Sequence, residues 1–95
     1  MTDGPVSRTV VVTNPQGLHA RPADLFVKTA SQYQSSIEVI KDGERVDGKS
    51  ILAILTLAIV AGSQLQIEAT GPDADAALSA LVDLIVRDFD ENGNA

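Results

Sequence analysis

Gly17-Leu18-His19-Ala20-Arg21-Pro22-Ala23 gathers the parts of a phosphate-handling site in one short stretch, and it holds the chain's single histidine. The imidazole of His19 offers a ring-nitrogen nucleophile, and Arg21 offers guanidinium donors that match phosphate oxygens. A helix starting at this point would add backbone N–H groups and the positive end of its dipole. Such a set can carry a phosphoryl group. On residue type alone, a lone histidine at a helix terminus also serves as a cap or a partly buried side chain, so both readings stand at this point.

Little else in the chain completes an enzyme. There is no second histidine, no cysteine and no serine-base-acid set, so a self-contained hydrolase is hard to build. Asp24, Asp42, Asp47, Asp73, Asp75 and Asp83 fall into no spacing that suggests a carboxylate pair or a calcium loop, and they read as solvated surface. Neither a metal nor a cofactor is expected. Gly43-Glu44-Arg45-Val46-Asp47-Gly48-Lys49-Ser50 matches the nucleotide-binding pattern G-x-x-x-x-G-K-[ST] and precedes a helical pattern. Its interior, however, patterns as a hairpin strand after Asp42-Gly43. Asp83, the later carboxylate that follows apolar residues, sits in a helical pattern where a strand-end magnesium ligand would be needed.

The elements that must hold these residues follow from periodicity. Arg8 to Thr13, with three consecutive valines, reads as a first strand closed by Asn14-Pro15-Gln16-Gly17. Pro22 suits the first turn of the helix that follows. Ala23, Phe26, Val27 and Ala30 form its apolar face, with Arg21, Leu25 and Lys28 on the other side. Ile37 to Lys41 and Glu44 to Asp47 flank Asp42-Gly43, a strong hairpin signal. A helix is expected from about Ser50 to Ala61, ended by Gly62. Leu65, Ile67 and Ala69 alternate with polar residues as a strand with one wet face. Asp73 is the expected cap of a last helix whose inner face holds Ala77, Leu78, Leu81, Val82, Ile85 and Phe89.

The order is β-α-β-β-α-β-α. Half-wet strands suit an antiparallel sheet covered on one side, so the fold class is α+β, an open-faced β-sandwich of four antiparallel strands with three helices on one face. A single domain over 1–95 is expected, with residues 1–7 and 89–95 as loose ends. With 44% hydrophobic but 3% aromatic residues, the core must be aliphatic. The middle helix carries apolar residues on two sides, Ile54, Leu57, Ala58 and Ala61 on one, Ile51, Leu52 and Leu55 on the other. A helix in so small a domain buries one side against the sheet, which leaves the second as a binding patch.

A net charge of −6 argues against nucleic acid and anionic membrane as partners and favours a basic surface on another protein. The amino terminus lacks the basic and apolar segments of a signal peptide. The apolar run Ile51 to Ala61 falls short of the roughly 18 residues that span a bilayer. The absence of cysteine fits the same cytoplasmic expectation.

From about Arg8 to Asp88 the chain resembles the HPr family, the histidine-containing phosphocarrier proteins of the phosphoenolpyruvate-dependent sugar phosphotransferase system. The resemblance rests on the His19 motif and on Gly48-Lys49-Ser50-Ile51 with the apolar helix behind it. It implies a protein acted upon by enzymes rather than an enzyme. His19 would receive a phosphoryl group on Nδ1 from phosphorylated enzyme I and pass it to IIA components, with Arg21 steadying the phosphate. Gln16, Gly17, Ala20, Lys28 and Lys49 would join Ile51, Leu52 and Leu55 in a docking surface on a monomer. Ser50 would be the regulatory serine modified by HPr kinase/phosphorylase, which adds about two negative charges beside the patch. The resemblance also admits a regulatory binding module of a nitrogen-related or transport-independent branch.

Overall fold

The computed structural model describes residues 4–87 and 89. The elements come in the expected order: β1 (Val6–Val11), α1 (Ala20–Ala30), β2 (Ser36–Lys41), β3 (Glu44–Asp47), α2 (Ile51–Thr56), β4 (Gln64–Thr70) and α3 (Ala74–Val86). The sheet runs β1-β4-β2-β3 with every pair antiparallel. The last long strand therefore lies at its centre. Alternation along β4 buries Leu65, Ile67 and Ala69 and leaves Gln64, Gln66 and Thr70 exposed. The buried face meets Phe26 and Ala30 of α1, Ile54 of α2 and Leu81 and Ile85 of α3 in one core. In the β2–β3 hairpin, Asp42 and Gly43 take φ of 52° and 83°, the left-handed pair that a two-residue turn of right-twisted strands requires. Glu44–Asp47 is thus a strand, which removes the loop a nucleotide-binding pattern would need.

On the open face, Glu38 stands directly opposite Glu68 across the β2–β4 pair. Like charges so placed repel, and Arg45 on β3 donates to both carboxylates. Hydrogen bonds to Glu68 and then Glu38 raise the Arg45 pKa from its ordinary value.

Three boundaries differ from expectation. α2 stops at Thr56, not Ala61: Ala58 turns left-handed at φ 51°, and Ile59 directs its carbonyl to the Leu18 N–H at 3.0 Å. The left-handed Ala58 breaks the helical backbone three residues before the expected end. Ala58 and Ala61, assigned to the buried side, are exposed in the loop that results, and Gly62 serves instead as the turn into β4, with its N–H on Val12. β1 begins at Val6, before the expected Arg8, and pairs that residue with Ala69, while α3 ends at Val86, short of Phe89, which is buried as expected of the inner face. Residues 1–3, 88 and 90–95 lie outside the described residues.

Asp73 occupies the N-cap position of α3, yet its side chain caps nothing there. The carboxylate accepts instead from the Gln34 and Ser35 amides, each at 2.9 Å, and from the Ser35 hydroxyl at 2.5 Å. It ties the end of the α1–β2 loop to the start of α3.

Candidate functional site

The site is built on the loop between β1 and α1. Asn14-Pro15-Gln16-Gly17 closes as a turn through the Gly17 N–H on the Asn14 carbonyl at 3.0 Å. Gly17 has φ +66°, and a Cβ there would press on the Ile59 carbonyl oxygen and meet Val60 Cα at 2.7 Å. Only glycine fits both the conformation and the space. The Asn14 amide donates through Nδ2 to the Gly17 carbonyl at 2.6 Å, and Leu18 enters the core.

His19 comes next, extended at φ −86° and ψ −163°, as the N-cap of α1. Its carbonyl accepts the Ala23 N–H at 3.0 Å, the first bond of the helix, while its side chain makes no capping bond. The exposed imidazole therefore stands at the positive end of the α1 dipole. His19 and Arg21 line one open pocket of about 330 Å³ with Asn14, Pro22, Leu25 and Phe89; Pro15 and Gln16 complete its rim. The sequence motif is thus brought together in space. Gln16 and Ala20 are exposed beside it, and Gly17 is buried.

Ser50 caps α2: its hydroxyl accepts the Ala53 N–H at 3.2 Å, as a serine in that position should. Along α2, Ile54 is buried while Leu52 is 73% exposed and Leu55 36% exposed, with Ile51 half-buried. The second apolar side of this short helix is uncovered. α1 and α2 pack together, so α2 lies beside the helix that starts at His19. Val60, 60% exposed and next to Gly17, extends the apolar surface toward the loop. Two expected docking residues are otherwise engaged. Lys49 Nζ donates to the Tyr33 carbonyl at 2.8 Å, and Lys28 pairs with Asp24 at 3.1 Å one helical turn back.

Sequence reasoning missed Asn14, Val60 and the place of Phe89 beside the pocket. Asn14-Pro15 carried the signal of a turn-initiating asparagine. Val60 was hidden by extending α2 through it.

A single antiparallel sheet covered on one face, with its first helix starting on an exposed histidine, defines a small open-faced sandwich of the phosphocarrier class. The family model for the phosphotransferase system HPr component phosphorylation site matches residues 6–87. Phosphocarrier protein HPr of Treponema pallidum is 44% identical over 90% of this chain and 98% of its own. The HPr-like protein Crh of Halalkalibacterium halodurans is 40% identical over 87% and 99%. Among solved structures, HPr of Thermoanaerobacter tengcongensis superposes with a TM-score of 0.86 at 45% identity, covering 88% of this chain and 94% of that one. The chain belongs to the HPr family of phosphocarrier proteins of the phosphotransferase system. The expected monomer gains no support from these relatives, since one similar structure is an HPr dimer of Thermoanaerobacter tengcongensis, with a TM-score of 0.72 at 46% identity over 84% and 92% of the two chains.

Proposed function

We propose that His19 accepts a phosphoryl group on Nδ1 from phosphorylated enzyme I and donates it to IIA components in the cytoplasm. The reading is carried by one observation: the imidazole at the start of α1 is exposed, caps nothing, and shares an open pocket with Arg21. In the forward step the Nδ1 lone pair, free when the ring proton sits on Nε2, forms the new bond to phosphorus as the donor's bond breaks and the donor keeps that electron pair. Arg21 and the helix dipole offset the negative charge that arrives. Ile51, Leu52 and Leu55 dock both partners, with Gln16, Gly17 and Ala20 meeting them at the loop. Lys28 and Lys49 join that contact by exchanging their present partners, Asp24 and the Tyr33 carbonyl. Incubation with phosphoenolpyruvate and enzyme I should place acid-labile phosphate on the wild type and none on His19→Ala. Equal labelling of the two would sink the assignment.

A second reading adds regulation at Ser50, supported by its capping position beside the uncovered side of α2. HPr kinase/phosphorylase with ATP should label the wild type and leave Ser50→Ala unlabelled. A protein of a nitrogen-related or transport-independent branch would still label at His19 but fail to restore sugar uptake to cells lacking their own carrier.

A further inference from the structure

We propose that Asn14 is a positioning residue for phosphoryl transfer, acting on His19 through the Gly17–Leu18 peptide unit; the proposal rests on His19 being the phosphoryl acceptor. That peptide unit is pinned at both ends. Its oxygen accepts from Asn14 Nδ2 at 2.6 Å, and its N–H donates to the Ile59 carbonyl at 3.0 Å. Leu18 is then anchored in the core at 4% exposed, and the next residue is His19. Because the imidazole makes no capping bond, its place is set by the backbone that delivers it.

Asn14 is an unusual group to find under such a loop. It is 9% exposed, it lines the pocket of His19 and Arg21, and its Oδ1 is buried with no hydrogen-bond partner among the described residues. A buried acceptor without a partner is destabilising. An apolar side chain of similar size would avoid that cost and release the Gly17 oxygen. What the amide contributes is one donor, aimed at one carbonyl, two residues ahead of the histidine. With that donor gone, the Gly17–Leu18 peptide plane is held at its N–H end only and can rotate, carrying the ring with it. A misplacement of about 1 Å at a reacting centre is worth roughly a hundredfold in rate. The apolar residues Ile51, Leu52 and Leu55 on the uncovered side of α2 stay in place, so the effect falls on kcat far more than on KM.

The test measures phosphorylation by enzyme I with this protein as the varied substrate. Asn14→Ala removes the amide, and Asn14→Asp keeps its shape while replacing the donor with an oxygen. Val39→Ala, a core truncation in β2, controls for lost stability. Thermal melts give the folded fraction of each. The expected result is a kcat lower by roughly tenfold or more in both Asn14 variants with KM within about twofold of wild type, and an unchanged kcat per folded molecule in Val39→Ala. Asn14→Asp carries the reading if Asn14→Ala fails to fold. Wild-type kcat in a folded Asn14 variant overturns the proposal while leaving His19 as the acceptor. A wild type that takes up no phosphate overturns the acceptor reading itself.

Discussion

The backbones of Gly17 and Val60 lie so close that a Cβ on Gly17 would meet Val60 Cα at 2.7 Å, and the same Cβ would press on the Ile59 carbonyl oxygen. The loop that presents His19 is therefore moulded against the chain that leaves α2. Gly17→Ala must either pull the two apart or abandon φ +66°, a region that costs an L side chain about 1–2 kcal/mol before any clash. Urea denaturation should show a loss of at least that size. The variant should also be a poor phosphoryl acceptor even at temperatures where it is fully folded, because the Leu18 bond to Ile59 goes with the contact. A folded Gly17→Ala protein with wild-type acceptance would show that the close packing is not what places His19.

Asp73 and Ser35 form a second long-range tie, and it is charged. Hydrogen bonds from the Ser35 hydroxyl, then from the Gln34 amide, lower the Asp73 pKa below 3.8. A carboxyl with a depressed folded pKa contributes stability that is complete above its unfolded value and lost as pH falls through the folded one. Asp73→Asn should therefore be less stable than wild type at neutral pH, with the gap closing below about pH 3.8 as the wild-type carboxyl gains its proton. Urea midpoints measured from neutral to acid pH read the difference. A gap that persists unchanged into acid would mean the charge of Asp73 contributes nothing.

The same residue shows where local sequence reasoning reaches its limit. An aspartate before an apolar run signals a cap, and the helix does start after it, but the partners that won are on a loop 38 residues away. α2 failed for a related reason: Leu57 and Ile59 continue the apolar spacing, while the chain turns left-handed at Ala58 and the Ile59 carbonyl pairs with the Leu18 N–H, far off in sequence. What was legible depended on neighbours close in sequence. The Asp42-Gly43 hairpin, the wet-dry alternation of β4 and the start of α1 on His19 each need only a few adjacent residues to be decided. Asn14 was legible as a turn former and not as a clasp, because the orientation of its amide depends on the fold around it.

Arg45 answers a repulsion that strand register creates. Glu38 and Glu68 face each other across β2 and β4, and removing the cation that bridges them leaves the two carboxylates opposed. Arg45→Gln should lower the melting midpoint at low ionic strength. Added salt should narrow the gap to wild type, since screening weakens both the lost attraction and the exposed repulsion. A gap independent of salt would assign the effect to packing of the arginine stem.

Leu52 and Ile54 sit two residues apart on α2 and should separate docking from folding. Leu52 is 73% exposed, so Leu52→Glu should change stability by no more than about 0.5 kcal/mol. It places a charge in the apolar patch, and KM for phosphorylation by enzyme I should rise roughly tenfold with kcat little altered. Ile54 is fully buried, and Ile54→Ala should cost about 2–5 kcal/mol. An unchanged KM in Leu52→Glu would move the docking surface off α2.

Ser50 allows capping and charge to be tested apart at one position. Its hydroxyl holds the Ala53 N–H at 3.2 Å, and Ser50→Ala should lose about 0.5–2 kcal/mol of stability while its KM stays that of the wild type. Ser50→Asp keeps an acceptor at the cap and adds a negative charge at the positive end of the helix, so it should be at least as stable as Ser50→Ala. That charge lies at the start of the helix that presents Leu52 and Leu55. The partner surface that covers Leu52 and Leu55 would have to desolvate the carboxylate, which raises KM. The two variants should therefore rank in opposite orders for stability and for phosphorylation by enzyme I. If Ser50→Asp is as good an acceptor as Ser50→Ala, charge at this cap does not control docking, and a phosphate there would have to act by another route.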